Sequence, residues 1–181
     1  MALVISHLSL KTRLGDMWLG ATPRGLFWAN MGALDAEAVE DVFRGRQDVV
    51  FRRGGAIVEQ AARELLRYLE AKQESLSVKL DLRGSTPFSR RVWKATRKIP
   101  YGQIRSYAWV AERLGDPFCA RAVGGALARN PLPIFIPCHR VVGSHGGLGG
   151  FSAGLSLKRW LLNLESGQPS LDLGSQGVEG G

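Results

Sequence analysis

With 181 residues, 45% hydrophobic and 22% charged, the chain can bury an ordinary core, as one domain or as a small domain joined to another. Lys and Arg number 24 against 16 Asp and Glu, giving a net charge of +8 and a pI near 10.1, a balance that suits a polyanionic partner or simply keeps the protein soluble. No apolar run reaches the length of a membrane span, two cysteines make no disulfide framework, and three histidines form no cluster with zinc-ligand spacing.

The opening MALVISHLSLKTRLGD lacks a basic segment followed by a long apolar one, so no signal peptide is expected. A free thiol persists in a reducing compartment, which makes the expected setting cytoplasmic, or nuclear in a eukaryote. Residues 16–31, DMWLGATPRGLFWANM, read as a hairpin around the turn Thr22-Pro23-Arg24-Gly25. Residues 34–44 have a helical composition. AIVEQAARELLRYLEAK, residues 56–72, predicts a helix, with Ile57, Ala61, Leu65 and Leu69 at helical spacing and Val58, Ala62 and Leu66 beside them. SVKLDLRG then alternates like a strand, with Val78, Leu80 and Leu82 on one face.

Gly84-Ser85-Thr86-Pro87 marks a change of character, and the boundary is placed there: residues 1–84 in one domain and 85–166 in a second. The Gly-rich segment 167–181 is expected to be a disordered tail. In the second part, FSRRVWKATRKI predicts an amphipathic helix with Phe88, Val92, Ala95 and Ile99 inward, ended by Pro100-Tyr101-Gly102. Ser106 can cap a short helix that runs through Leu114 and closes at Gly115. Asp116 and Pro117 can open the next, which runs to about Ala128 and stops before Asn130-Pro131. Two short helices joined this way form a helix-turn-helix pattern.

The charge concentrates here. From Arg83 to Val141 there are 11 basic residues and two acids, Glu112 and Asp116, a balance of +9. That supports contact with a phosphate backbone, against the plainer reading of a solvated helix face. The second helix, CARAVGGALA, offers one long polar probe, Arg121, among Ala122, Gly124, Gly125 and Ala126. Such small residues cannot read several base edges, and each glycine costs about 1 kcal/mol of helix stability relative to Ala. They suit either tight helix packing or close backbone approach to a groove without sequence readout.

PIFIPCHRVVG, residues 133–143, sets Cys138 beside His139. A thiol attacks carbon as the thiolate, and a nearby base raises that fraction. Neighbours in a strand point to opposite faces, so either a bend after Pro137 or a linking water must join the two groups. Alone, a Cys-His pair is more often structural than catalytic.

The stretch RNPLPIFIPCHRVVG, with GGFSAGLSLKRWLLNLE after it and VWKATRKIPYGQIRSYAWVAERLG and RAVGGALARNP before it, resembles the O6-alkylguanine-DNA alkyltransferase family, the methylated-DNA–protein-cysteine methyltransferases. The resemblance is dense over residues 86–165 and loose in the first half. It implies a small N-terminal antiparallel sheet with helices and a mostly helical C-terminal domain. It also implies repair by flipping the damaged base into a pocket and moving its O6 alkyl group to Cys138 in one displacement. His139 would act through a water as base, Glu165 would orient it, and Asn130 would tie the turn. Tyr107 would donate to the departing guanine, Ser152 and Phe151 would line its pocket, and the carbonyls of Cys138 and Val141 would accept from its amino group. Arg121 would fill the stack. Ala122, Gly124, Gly125 and Arg129 would lie with it along the minor groove of double-stranded DNA.

A thioether has no carbonyl for water to attack, so the protein would act once, as a monomer, without cofactor. Phe151 stands where many members have tyrosine. Zinc, bound by some members in the first half, is not expected, since residues 1–84 hold no cysteine and only His7. The alternatives are a non-catalytic lesion-recognition protein, against which Cys138 argues, a DNA-binding regulator, and a cysteine hydrolase, which would need an oxyanion hole.

Overall fold

The computed structural model describes residues 3–31, 49–144 and 147–168. The helix expected at 34–44 and the tail beyond residue 168 lie outside the described residues. The strands β1 (Leu3–Thr12), β2 (Gly15–Thr22), β3 (Gly25–Met31) and β4 (Val49–Arg53) form a sheet of order β3-β2-β1-β4. The hairpin around Thr22–Gly25 is present, and β1, β2 and β3 pair antiparallel. β4 returns parallel to β1, so the sheet is mixed. A parallel return requires a crossover rather than a tight turn, a relation that alternation within single strands does not reveal.

Helix α1 (Ala56–Leu69) packs on the sheet and buries Val58, Ala61, Ala62, Leu65, Tyr68 and Leu69. The SVKLDLRG segment is not a full strand. It touches the sheet through one bridge, Leu26 to Leu80, with Leu26 N donating to Lys79 O at 2.8 Å and Asp81 N to Leu26 O at 2.8 Å. Buried Glu64 holds the same segment from the helix side, its carboxylate accepting from Ser77 N at 2.7 Å and Val78 N at 3.0 Å. These bonds replace a second row of strand pairing.

After Pro87 the chain is mostly helical, as expected. Thr86 caps α2 (Pro87–Thr96) by accepting from Ser89 N, and Ser106 caps α3 (Tyr107–Arg113) by accepting from Trp109 N. Asp116 opens the next element as a 3-10 turn, Pro117–Cys119, which leads into α4 (Ala120–Ala128). The helices α3 and α4 form the helix-turn-helix, and α4 packs on both α2 and α3. Trp93 Nε1 on α2 donates to Ala126 O on α4 at 3.0 Å. The two-residue strands β5 (Arg105–Ser106) and β6 (Val141–Val142) pair in parallel and bring the start of α3 beside the segment that follows the cysteine. Helix α5 (Leu155–Glu165) closes the chain's described part.

One buried apolar cluster runs from Met17 and Leu19 in the sheet through Leu65 and Tyr68 to Val92, Val123, Ile136 and Leu161. A backbone bond from Ala29 N to Pro131 O, 2.9 Å, joins sheet and helical part directly. No described helix is long and apolar enough to cross a membrane.

Gly25 is where the sheet and the 79–81 segment come closest. A Cβ there would stand 2.7 Å from Leu80 C and Lys79 O, both backbone atoms. Gly25→Ala is expected to lower unfolding free energy by about 1–3 kcal/mol, the usual range for overpacking. A denaturant titration with an unchanged midpoint would contradict this close approach.

Candidate active site

Cys138 lies on a 3-10 turn, Cys138–Arg140, at the end of the tight loop 130–137. The turn explains how adjacent Cys138 and His139 both serve one site, since it is not an extended strand. The loop is strained at Ile134, a buried β-branched residue with φ of 74°. Asn130 braces it on three sides. Its Nδ2 donates to Ile136 O at 2.9 Å and to Cys138 Sγ at 3.1 Å, and its Oδ1 accepts from Leu132 N at 2.9 Å.

Behind the cysteine, His139 is fully buried and its Nε2 stands 2.8 Å from Glu165 Oε1. Burial by itself would raise the Glu165 carboxyl, but hydrogen bonds from His139, Arg140 and Tyr68 outweigh it and hold the group at about 2. Glu165 is therefore an anion that can only accept. His139 Nε2 must carry the proton, and Nδ1 is left as the basic nitrogen. Burial lowers the His139 pKa, so the ring is neutral at pH 7. Nδ1 is buried and bonds to no described protein group.

Three side chains around the site escape the sequence pattern. Arg140 grips Glu165 with Nε at 3.0 and 2.9 Å from the two oxygens and Nη2 at 2.9 Å, while its Nη1 donates to Ile99 O at 2.7 Å. Tyr68, on α1 of the N-terminal part, donates its hydroxyl to Glu165 Oε1 and lies 3.3 Å from His139 Nε2. Gly102 N completes the set, donating to Glu165 Oε2 at 3.1 Å. The signal for Arg140 was present in the run Cys-His-Arg. Tyr68 looked like one more apolar position on a core helix.

The third missed residue is Lys158, fully buried on α5. Its Nζ donates to Val141 O at 2.6 Å, to Leu148 O and to Gly150 O at 3.4 Å. Burial lowers its pKa to about 8, against an opposing pull from Cys138. It pins residues 148–150 beside β6. There Gly149, at φ of 66°, lies so close to Tyr107 that a Cβ would stand 2.7 Å from the phenol oxygen, so that only glycine fits.

A cleft of about 630 Å³ opens in front of Cys138, lined by Tyr107, Arg121, Gly124, Phe151 and Ser152 among others. That size suits a small organic group. The Tyr107 hydroxyl donates to Gly150 O at 3.4 Å. Burial pushes the Cys138 thiol up, while the bond from Asn130 and the charge of Lys158 pull the other way. The resting group is a thiol that must lose its proton as it reacts. Of the residues expected at the site, the fold gathers Cys138, His139, Glu165, Asn130, Tyr107, Phe151, Ser152, Arg121 and Gly124. Val141 is buried, with its carbonyl engaged by Lys158. Ala122 and Arg129 are exposed and Gly125 half-buried, outside the cleft lining on α4 and its C-cap. Among the described residues no group of three or more His, Cys, Asp or Glu could hold a metal.

Comparison with known proteins gives consistent findings. A family model described as the DNA-binding domain of 6-O-methylguanine DNA methyltransferase matches residues 87–167. The methylated-DNA–protein-cysteine methyltransferase of Mycobacterium bovis is 47% identical over 113 residues, covering 62% of this chain and 68% of that protein. Its namesake from Methanosarcina barkeri is 50% identical over 106 residues, covering 59% of this chain and 66% of that protein. Mycobacterium tuberculosis OGT, solved in complex with DNA, superposes with a TM-score of 0.78 at 34% identity, covering 94% of this chain and 98% of that one.

The Glu165 cluster sets an acid limit on stability. Its carboxyl is depressed to about 2 from an ordinary 4.5, so its stabilising contribution is full above about 4.5 and is lost as pH falls toward 2. Tyr68→Phe removes one donor to the anion. The variant is expected to be about 1–2 kcal/mol less stable than wild type at pH 7, with the gap narrowing as pH falls through that window. Urea midpoints measured from pH 7 to pH 2 check this, and a gap independent of pH would contradict it.

Proposed function

The chain belongs to the methylated-DNA–protein-cysteine methyltransferase family, and from that premise we propose that Cys138 takes the alkyl group of O6-alkylguanine in DNA directly and keeps it. The observation that carries this reading is the Cys138 thiol at the cleft, backed by a neutral His139 whose Nε2 is committed to Glu165. The enzyme is a methylated-DNA–[protein]-cysteine S-methyltransferase and its partner is DNA.

The proposed sequence of events follows from these positions. The damaged guanine leaves the duplex and enters the cleft between Tyr107 and the 148–152 segment. Cys138 gives its proton, through a water, to His139 Nδ1, and Glu165 stabilises the imidazolium that forms. The thiolate attacks the alkyl carbon. The sulfur–carbon bond forms as the carbon–oxygen bond breaks, and the electron pair stays with guanine. Tyr107 donates to the departing base at its oxygen or ring nitrogen, with Ser152 near that oxygen. Phe151 supplies a wall for the base but no hydroxyl. Lys158 keeps the Val141 carbonyl and the 148–150 segment in place for the base's amino edge.

Raising the resting thiol pKa protects Cys138 from adventitious oxidation, since oxidation follows thiolate character. The product is a thioether, which water does not cleave, so each molecule acts once and needs no cofactor. Asn130 holds the loop, and through it the sulfur, in position. α4 lies in the minor groove of double-stranded DNA, with Arg121 filling the gap left by the flipped base and Ala122, Gly124, Gly125 and Arg129 along the groove. The catalytic and DNA-binding residues occupy a domain spanning residues 85–166, and residues 1–84 form the supporting domain. The protein acts as a monomer in the cytoplasm, or in the nucleus of a eukaryote.

With a duplex carrying a labelled O6-methyl group, retained label is expected to stop at one methyl per protein molecule. Cys138→Ala is expected to bind the duplex and retain none. Continued turnover would contradict the single displacement, and lesion binding by the wild type without retained label would favour a recognition protein. As pH falls from 7.5, the transfer rate should stay above half its neutral value down to the ordinary imidazole pKa of 6.5, because burial shifts His139 below that value. A rate that falls by half near pH 7 would contradict a buried neutral base.

A further inference from the structure

Phe118 is 94% exposed, while no other exposed large apolar side chain among the described residues exceeds 52%. A phenyl ring left in water forgoes about 1.5–3 kcal/mol of burial. Nor does it hang from a loose end. It sits on the 3-10 turn Pro117–Cys119 that runs straight into α4, and its own N–H donates to Asp116 Oδ1 at 3.0 Å. Cys119 N donates to Asp116 O at 3.2 Å, so the turn is bonded at two points.

Its position along the helix matters more than its exposure alone. Arg121 follows three residues later and Ala122 four, which places all three on one stripe. Gly125 and Arg129 continue that stripe, while Val123, Ala126 and Leu127 on the other side are buried. Phe118 is the large apolar group at the head of a stripe otherwise made of arginine, alanine and glycine. The acid beside it, Asp116, is turned onto the Phe118 amide. The two arginines attract a polyanion, and the small residues between them permit close approach.

We propose that Phe118 is an apolar wedge that enters the minor groove and loosens the base step flanking the flipped nucleotide. The proposal rests on the reading that α4 lies in that groove. Proteins that bend DNA from the minor groove insert such side chains between base steps. Three residues at about 1.5–2.0 Å each separate Phe118 from Arg121 by about 4.5–6 Å. With base pairs spaced about 3.4 Å apart, the ring meets the duplex one or two steps from Arg121. The two side chains then divide the work: Arg121 occupies the vacated position, and Phe118 opens the neighbouring step so that the base can leave.

The test uses the full chain with Cys138→Ala, which stops transfer, with and without Phe118→Ala. Each is titrated onto a duplex carrying one O6-methylguanine, with 2-aminopurine placed one or two steps away. Protein with Phe118 is expected to raise 2-aminopurine fluorescence. Phe118→Ala is expected to lose that rise and bind at least about fivefold more weakly, the low end of base–aromatic stacking. The slope of log affinity against log salt should be unchanged, because no phosphate contact is removed. Equal affinity and equal fluorescence would overturn the wedge. So would self-association without DNA that Phe118→Ala abolishes, since the face would then be a protein interface. If the Phe118 protein does not bind duplex at all, the placement of α4 in the groove fails first and the wedge with it. Thermal midpoints should agree between the two proteins, as the ring packs on nothing that holds the fold.

Discussion

The buried Glu165 carboxylate organises this molecule. An unpaired anion in that position would carry a penalty of several kcal/mol, and the fold meets it with donors from three separate places in the chain. Arg140 and His139 come from the cysteine turn, Gly102 from the loop after α2, and Tyr68 from the N-terminal helix. Each of the three places fixes a different part of the chain against the end of α5. The same contacts set the state of His139, because an anion that only accepts leaves the proton on Nε2 and the lone pair on Nδ1. Packing and chemistry are thus one arrangement, and the N-terminal part takes a share in it through a single hydroxyl.

A second constraint acts in front of the sulfur. Burial raises the Cys138 pKa, which keeps the nucleophile quiet, while Asn130 and Lys158 favour the charged form without letting it dominate. Lys158 at the same time tethers the 148–150 segment that faces Tyr107. The reactive group is therefore held as a thiol in a preformed cleft, and a single-use protein gains from reacting only when substrate fills that cleft. The strained Ile134 belongs to the same logic. The loop adopts an unfavourable backbone conformation because Asn130 overdetermines it, and the result is a sulfur aimed into the cleft.

Much of this was legible in the chain. The caps at Thr86, Ser106 and Asp116, the hairpin at Thr22–Gly25 and the helix pair follow from local chemistry, which acts over a few residues and leaves a local trace. The Cys-His pair and Glu165 stood out through their spacing within a recognisable pattern. What stayed hidden depends on contacts distant in sequence. Tyr68 sits 97 residues from Glu165 and follows the apolar periodicity of its helix. Lys158 looks like a surface lysine in an amphipathic helix until three carbonyls gather around it. The parallel return of β4 and the bridging role of residues 77–81 likewise depend on partners elsewhere. A strand-like alternation there turned out to mark one bridge and a carboxylate anchor, because Glu64 takes up the amides that a neighbouring strand would otherwise bond.

The central claim is that this buried network makes Cys138, and not Cys119, the acceptor of the alkyl group. Intact mass followed by peptide mapping, after mixing with a duplex carrying one O6-methylguanine, tests it most directly. The whole protein is expected to gain the mass of one methylene, with the gain mapping to the peptide containing Cys138. An unchanged mass, or a gain that maps to Cys119, would contradict it.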